Sequence, residues 1–340
     1  MNQFEQNVAR LASFADPDLA IANAKPDCDP VFYDMKYRQK RKGGKWREVA
    51  GPSGLEGAML ADTHCHLHMM PEPAFALARC AAAGVGFVGC VTDPTEDGLV
   101  VFDQLEAWLT EAQLHLAQMA SMGLCAANLQ VPRARITVGC HPHNARLFDE
   151  AAERQLLKLL ADPRVSALGE IGLDYHYDLS PREDQRRVFR RQIQIAHHTG
   201  LPIALHIREA HDEALAILQE EGWPKAGTLL HCCTLGPEDI EPWINAGAMI
   251  AFGGALTFNN GDAIRQAAAK VPLPQLLTET DSPYMAPVPL RGVDCLPDMV
   301  AFTAARLAEV RGCALEAQRR EMLDACYNNA QAFLNRPAVS

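Results

Sequence analysis

Histidine is missing from most of this chain. None occurs in the first 63 residues or the last 109, and all twelve lie between His64 and His231. Aromatic side chains are scarce, at 6% of 340 residues, and basic side chains number 31 against 42 acidic, for a formal net charge of −11. That shortage of positive charge argues against a dedicated duplex-DNA binder, which needs a basic face to neutralise phosphates. No apolar run reaches the roughly 20 residues of a membrane-spanning helix. The longest, Phe75–Val91, is broken by Arg79, Gly84, Gly86 and Gly89. Met1–Ala20 hold no continuous apolar segment of a secretory signal. There is no Cys-x-x-Cys zinc pair, no Gly-x-Gly-x-x-Gly at a strand–helix turn and no phosphate loop, so nucleotide-cofactor chemistry lacks its usual support.

What is present describes a globular protein. Hydrophobic residues make up 48% of the chain, too many for a disordered one. The eleven cysteines, odd in number and irregularly spaced, read as reduced thiols and imply a cytoplasmic protein without membrane partners.

Residues 1–57 differ from the rest. They contain Lys36, Arg38, Lys40, Arg41, Lys42, Lys45 and Arg47 with no acidic residue between the first and last of these, then the linker-like Gly51-Pro52-Ser53-Gly54. The basic run reads either as a solvated tail or as a phosphate-binding arm. Nine basic and eight acidic side chains here leave 22 and 34 beyond, a net of −12 from residue 58 onward. A boundary near residue 57 follows, with an extension over 1–57 and a catalytic unit over 58–340.

From Met59 short apolar runs alternate with helical patterns. Candidate strands are Met59–His64, Gly86–Val91, Arg135–Gly139, Val165–Gly169, Pro202–His206, Gly227–His231, Ala248–Phe252 and Leu276–Thr280. Each is short and apolar, as parallel strands covered on both faces are. Asp149 with Glu153, Ser180-Pro181-Arg182-Glu183 and Gly236-Pro237-Glu238 carry helix-start signals, and Gly200-Leu201-Pro202 carries a stop. Gln104–Met122 reads as a helical insertion with His115 on its surface. Eight alternations over this length predict a (β/α)₈ TIM barrel with an N-terminal extension; a doubly wound open sheet is the structural alternative.

Ligand-type side chains recur where these strands end. His64 and His66 share one side of an extended backbone, with Cys65 on the other. Glu170, His206, His231 and Asp281 mark the ends of the fourth, fifth, sixth and eighth strands. In a barrel such ends converge at one mouth. Taken singly, each has a plainer reading as a core histidine or a helix cap. Four imidazoles and two carboxylates together exceed what a single tetrahedral catalytic zinc needs and suffice for two bridged ions, pointing to a dinuclear hydrolase. His197 and His198 fit a helix C-terminus, His211 the start of the next helix, and Cys232 and Cys233 small buried positions.

Three strings carry a pattern: Asp62-Thr63-His64-Cys65-His66, Gly139-Cys140-His141-Pro142-His143 and Gly169-Glu170-Ile171-Gly172-Leu173-Asp174-Tyr175. After them come Ser180-Pro181-Arg182, His206, Arg208-Glu209-Ala210-His211, His231-Cys232, Gly254-Ala255-Leu256-Thr257-Phe258 and Glu279-Thr280-Asp281-Ser282-Pro283-Tyr284. In this order they resemble the TatD family of metal-dependent hydrolases, over about residues 59–335. The resemblance implies a binuclear phosphodiesterase, a 3′ exonuclease on single-stranded DNA or RNA. It places His64, His66 and Asp281 on one divalent ion (Mg, Mn or Zn), His206 and His231 on the other, and Glu170 between them. It makes Asp281 the acceptor of the water proton and sets His141 and Arg208 near the substrate phosphate. A metal-dependent ester or amide hydrolase, such as a deacylase of mischarged transfer RNA, uses the same water. A non-catalytic binding module is the remaining alternative. The chain departs from the family in its long N-terminus, in the length of Asp97–Val131, in Val293-Asp294-Cys295-Leu296-Pro297 and in Cys233.

Overall fold

The computed structural model describes residues 33–40 and 44–335. In chain order the strands and α-helices are β1 (Tyr37–Lys40), β2 (Trp46–Val49), β3 (Leu60–Cys65), α1 (Pro73–Ala82), β4 (Val85–Thr92), α2 (Val100–Ser121), β5 (Arg133–Val138), α3 (Glu150–Leu160) and β6 (Val165–Asp174). They continue with α4 (Arg182–Thr199), β7 (Ile203–Arg208), α5 (His211–Glu221), β8 (Thr228–Leu230), α6 (Glu241–Asn245), β9 (Met249–Phe252), α7 (Asp262–Lys270), β10 (Leu276–Thr278), α8 (Val300–Val310) and α9 (Glu316–Leu334).

Strands β3 to β10 pair in parallel in sequence order. Side chains and a short bridge bring the two edges together. The Thr278 hydroxyl donates to the Ala61 carbonyl at 2.7 Å, Thr63 donates back to the Thr278 carbonyl at 3.1 Å, and Cys65 bridges to Ser282. The eight-stranded parallel sheet is thus nearly closed into a TIM-type barrel, as its alternating pattern predicts.

Small residues let the barrel close. Its inner layer consists of Ala61, Ala167, Ala204 and Ala251 with Phe87, Leu229 and Leu277, and Phe333 and Leu334 of α9 pack against it. Helix α9 seals the end where strands begin: at Gly227 an added Cβ would meet the Phe333 ring at 2.7 Å. The opposite mouth is left for chemistry. A second layer, including Leu77, Leu105, Phe189, Ile193, Ile217 and Trp243, fills the space between strands and helices. Cys65, Cys80 and Cys90 lie in it, which puts Cys65 on the opposite side of β3 from His64 and His66.

Some local expectations change. β6 runs past Gly169 to Asp174 through a register shift between Leu168 and Ile171, so Glu170 sits at an irregularity within the strand. Gly172, at φ +143°, permits this, because a Cβ there would fall 2.1 Å from the His206 carbonyl oxygen. Ser180 does not cap α4. Its buried hydroxyl donates to the His143 carbonyl at 2.6 Å and accepts from the Arg146 N–H at 3.2 Å, tying two mouth loops together. His115 is half-buried, not superficial: its Nδ1 lies 3.0 Å from the Tyr33 hydroxyl and its ring abuts Phe75. Asp149 caps α3 through the N–H groups of Ala151 and Ala152, and Gly200 at φ +68° ends α4, both as the sequence indicates.

Part of the basic run forms an antiparallel hairpin, β1 with β2; Arg41, Lys42 and Gly43 lie outside the described residues. Among those described, the ten cysteines are free, and no helix is long and apolar enough to cross a membrane.

Candidate metal centre

The barrel strands and the turns just after them bring the six expected residues to one place. His64 is the penultimate residue of β3 and His66 follows its end, and Asp281 reaches them across the barrel seam, its N–H donating to the His64 carbonyl at 2.9 Å. Glu170 comes from the irregular part of β6, His206 from β7 and His231 from just beyond β8.

The Glu170 carboxylate divides the group. Its Oε2 lies 3.3 Å from His64 Nε2 and 3.7 Å from His66 Nε2. Its Oε1 lies 3.2 Å from His206 Nδ1 and 3.0 Å from His231 Nε2. Asp281 Oδ1 faces the first pair, at 3.8 Å from His64 Nε2 and 3.7 Å from His66 Nε2. Two candidate donor sets, His64–His66–Glu170 and Glu170–His206–His231, therefore share one carboxylate, each with its donor atoms within 4.8 Å of one another.

This donor set suits divalent metal ions: neutral imidazoles with carboxylates bind Zn, Mn or similar ions. Both ring nitrogens of His64 are buried without a hydrogen-bond partner among the described residues. Such an orphan is costly in a protein interior unless something coordinates it.

Outer carboxylates orient the imidazoles. Asp174 Oδ2 lies 3.0 Å from His206 Nε2 and 2.8 Å from His143 Nε2, and Asp174 Oδ1 accepts the N–H groups of His176 and Tyr177. Glu279 Oε1 lies 3.4 Å from His231 Nδ1 and accepts the Cys232 N–H. A carboxylate behind a coordinating imidazole fixes its tautomer and raises its basicity.

The titrations follow from these contacts. Burial would raise Glu170, but His64, His231 and His206 hold its carboxyl well below the usual carboxylate range. Burial likewise opposes a proton on His231, yet Glu170 and Glu279 push it well above the usual imidazole value. His66 and His206 are also raised against burial, His66 by Asp281 and Glu170, His206 by Asp174 and Glu170.

His141 differs. Burial, then the neighbouring His206, keep it well below the usual imidazole range, hence neutral. Its Nδ1 accepts the His143 N–H at 3.2 Å, which leaves the proton on Nε2, 4.0 Å from Glu170 Oε1. Its own N–H donates to Asp93 at 2.8 Å, and burial pushes the Asp93 carboxyl up to about 6. Arg208 stays at the rim, its guanidinium 4.7 Å from the Tyr177 ring centroid.

Sequence reasoning assigned no role to Asp174, Glu279, His143 or Asp93. The available signal was even spacing along extended chain, Glu170 to Asp174 and Glu279 to Asp281. It could not say which imidazole each would meet.

The family model for TatD-related DNases matches residues 61–335. The chain belongs to the TatD-related DNase family. It is 34% identical over 263 residues, 76% of this chain and 90% of the relative, to the uncharacterized metal-dependent hydrolase YcfH of Escherichia coli strain K12. It is 30% identical to the human 3′-5′ RNA nuclease TATDN2, over 76% of this chain and 33% of that protein. Among solved structures it resembles the TatD homologue YJJV of E. coli, with a TM-score of 0.68 and 28% identity over 82% of this chain and 98% of that one. The protein is thus a metal-dependent hydrolase of the class that acts on ester bonds.

Proposed function

We propose that this protein is a 3′ exonuclease that removes nucleotides from single-stranded DNA or RNA with two divalent ions (Mg, Mn or Zn). The observation that carries this reading is the Glu170 carboxylate, whose two oxygens each face a separate pair of imidazoles. His64, His66 and Asp281 would hold one ion and His206 and His231 the other, with Glu170 shared. Bound there, divalent cations supply Lewis-acid stabilisation of phosphoryl charge and make a water more acidic.

The chain's own groups complete the chemistry. Asp281, held below the usual carboxylate range by His66 and His231 despite burial, is ionised and ready to accept the proton of the attacking water. His141 offers a neutral Nε2–H to a phosphate oxygen. Arg208 places a cation at the rim for the adjoining phosphate.

Two exposed aromatics flank the cluster. Tyr284 is 45% exposed with its ring 6.0 Å from that of His66, and Tyr177 is 54% exposed with its ring 5.6 Å from that of His143. Exposed rings beside a phosphate site suit the unpaired bases of a single strand. Two relatives support this reading, the human 3′-5′ RNA nuclease TATDN2 and the 3′-5′ ssDNA/RNA exonuclease TatD of Escherichia fergusonii.

The test incubates metal-loaded protein with end-labelled single-stranded DNA, RNA and duplex, and with aminoacylated RNA. Shortening from the 3′ end of single strands is the expected result. Release of the amino acid alone, with oligonucleotides intact, would replace this reading by the deacylase one.

A further inference from the structure

The two sides of the barrel mouth differ in charge. On one side Arg208, two residues beyond His206 on β7, makes no ion pair among the described residues, and its guanidinium stands 4.7 Å from the Tyr177 ring centroid. The neighbouring charges there are matched, Arg182 with Asp178, Arg186 with Glu213 and His176 with Glu209. On the other side the loop between β4 and α2 carries Asp93, Glu96 and Asp97. None of the three pairs with a lysine or arginine among the described residues.

Contacts place this loop beside the metal centre. It follows the C-terminal end of β4, which in a parallel sheet is the same end from which His66 and His206 project. Asn144 Nδ2 donates to Glu96 Oε2 at 2.9 Å and to Asp93 Oδ2 at 3.0 Å. The same Asp93 oxygen accepts the N–H of His141, whose Nε2 lies 4.0 Å from Glu170 Oε1. From the other direction, the His66 and His68 rings are 5.9 Å apart, and His68 Nε2 stands 3.2 Å from Asp97 Oδ1. Tyr284 borders the same space, its ring 6.0 Å from that of His66 and its hydroxyl 4.0 Å from Met69 Sδ.

Two groups in this loop region have bonding capacity to spare. The His68 side chain is 8% exposed, yet neither ring nitrogen makes an aligned hydrogen bond among the described residues. Glu96 is exposed and is held through Oε2 alone, which leaves Oε1 open. A hydroxyl group can donate to a carboxylate and accept from an imidazole N–H at once.

We propose that this loop reads the end of the strand, with Glu96 accepting the terminal 3′-hydroxyl and repelling an end that carries a 3′-phosphate. Glu96 has this role only if the nuclease reading holds, and the role adds a direction to that reading. Upstream phosphates leave over Arg208, and the terminal nucleoside lies against Tyr284. A phosphate monoester at that end would bring up to two negative charges against carboxylates that no lysine or arginine offsets, and like charges set together in a complex are disfavoured. Strands ending in a 3′-phosphate would need a phosphomonoesterase to act first.

The test gives the metal-loaded full chain two single strands of one sequence, one ending in a 3′-hydroxyl and one in a 3′-phosphate. It reads kcat/KM for the shortening of each. Wild type is expected to prefer the hydroxyl end by at least about tenfold, and by less as salt screens the exposed carboxylate. Glu96→Gln removes the charge and keeps the shape, so the two ends should then be shortened at nearly equal rates. Glu96→Asp should keep the preference, and so should Glu106→Gln, which removes an exposed carboxylate from α2. Removing the 3′-phosphate with a phosphomonoesterase should restore wild-type shortening of the blocked strand. A ratio unchanged in Glu96→Gln would overturn the assignment, even if overall activity fell, because the residue would then only shape the loop. Equal shortening of both ends by wild type would overturn it as well. If wild type shortens neither strand, the nuclease reading fails too, so the two failures are told apart.

Discussion

Asp174 holds His206 from behind: its Oδ2 lies 3.0 Å from His206 Nε2, while His206 Nδ1 turns toward Glu170 at 3.2 Å. One imidazole thus spans two carboxylates, one that shares the candidate metal centre and one that orients the ring. Asp174→Asn keeps the shape but loses the anion. Metal affinity should fall about 10- to 100-fold, as when outer partners of coordinating histidines are changed. Calorimetric titration with Mn²⁺ checks this, and wild-type affinity would mean that Asp174 serves only the fold.

Glu170 is the more severe position, because both halves of the donor set share its carboxylate. If two ions bind as proposed, Glu170→Gln should bind fewer than two per chain and lose at least about 100-fold in turnover, since the carboxylate common to both candidate donor sets is removed. Metal analysis beside a phosphodiesterase assay reads both. Undiminished turnover would remove Glu170 from the centre.

Protons and metal ions compete for the same nitrogens. His66, His206 and His231 are raised by their carboxylates, so metal-free protein carries protons there to higher pH than free imidazole, whose value is about 6.5. Apparent metal affinity should therefore rise with pH through and above that value, with protons released on binding. Without metal the sign differs. Groups with raised values contribute stability fully present below their unfolded value and lost as pH rises through the folded one. Glu170 and Asp281, lowered, contribute stability present above their unfolded values and lost as pH falls through the folded ones. Melting temperatures in chelator should thus drop on the alkaline side before those of metal-loaded protein do. Parallel melting curves across pH would show it.

Beyond the centre, Arg79 and Asp298 form a buried ion pair at 2.7 Å, the two side chains 6% and 1% exposed. Arg79 also donates to the Asp34 carbonyl at 2.6 Å, joining α1 to the segment before β1. Asp298→Ala leaves a buried guanidinium unpaired and should cost about 3–5 kcal/mol. Thermal denaturation of metal-loaded protein measures it, and a change below about 1 kcal/mol would show that Arg79 finds another partner or water.

Much of the barrel could be read from the sequence because its determinants are local. Eight short apolar runs predicted β3 to β10 within a few residues, since strands covered on both faces must be apolar along their length. The clustering of histidines and their return at strand ends marked the candidate ligands, because residue type and placement at strand ends are properties of short segments. Tertiary structure decided the rest. That Asp281 meets His64 and His66 depends on the seam between β3 and β10, which joins distant parts of the chain. That Glu170 turns one oxygen to each imidazole pair, and that Asp174 lands behind His206, depends on the irregular stretch of β6 that Gly172 accommodates. Ser180 reads as a helix cap and becomes a tie between mouth loops, and part of the basic run becomes a hairpin docked by Tyr37 on Phe302. Which groups meet is set by closure and register, and these are settled only when the whole sheet pairs.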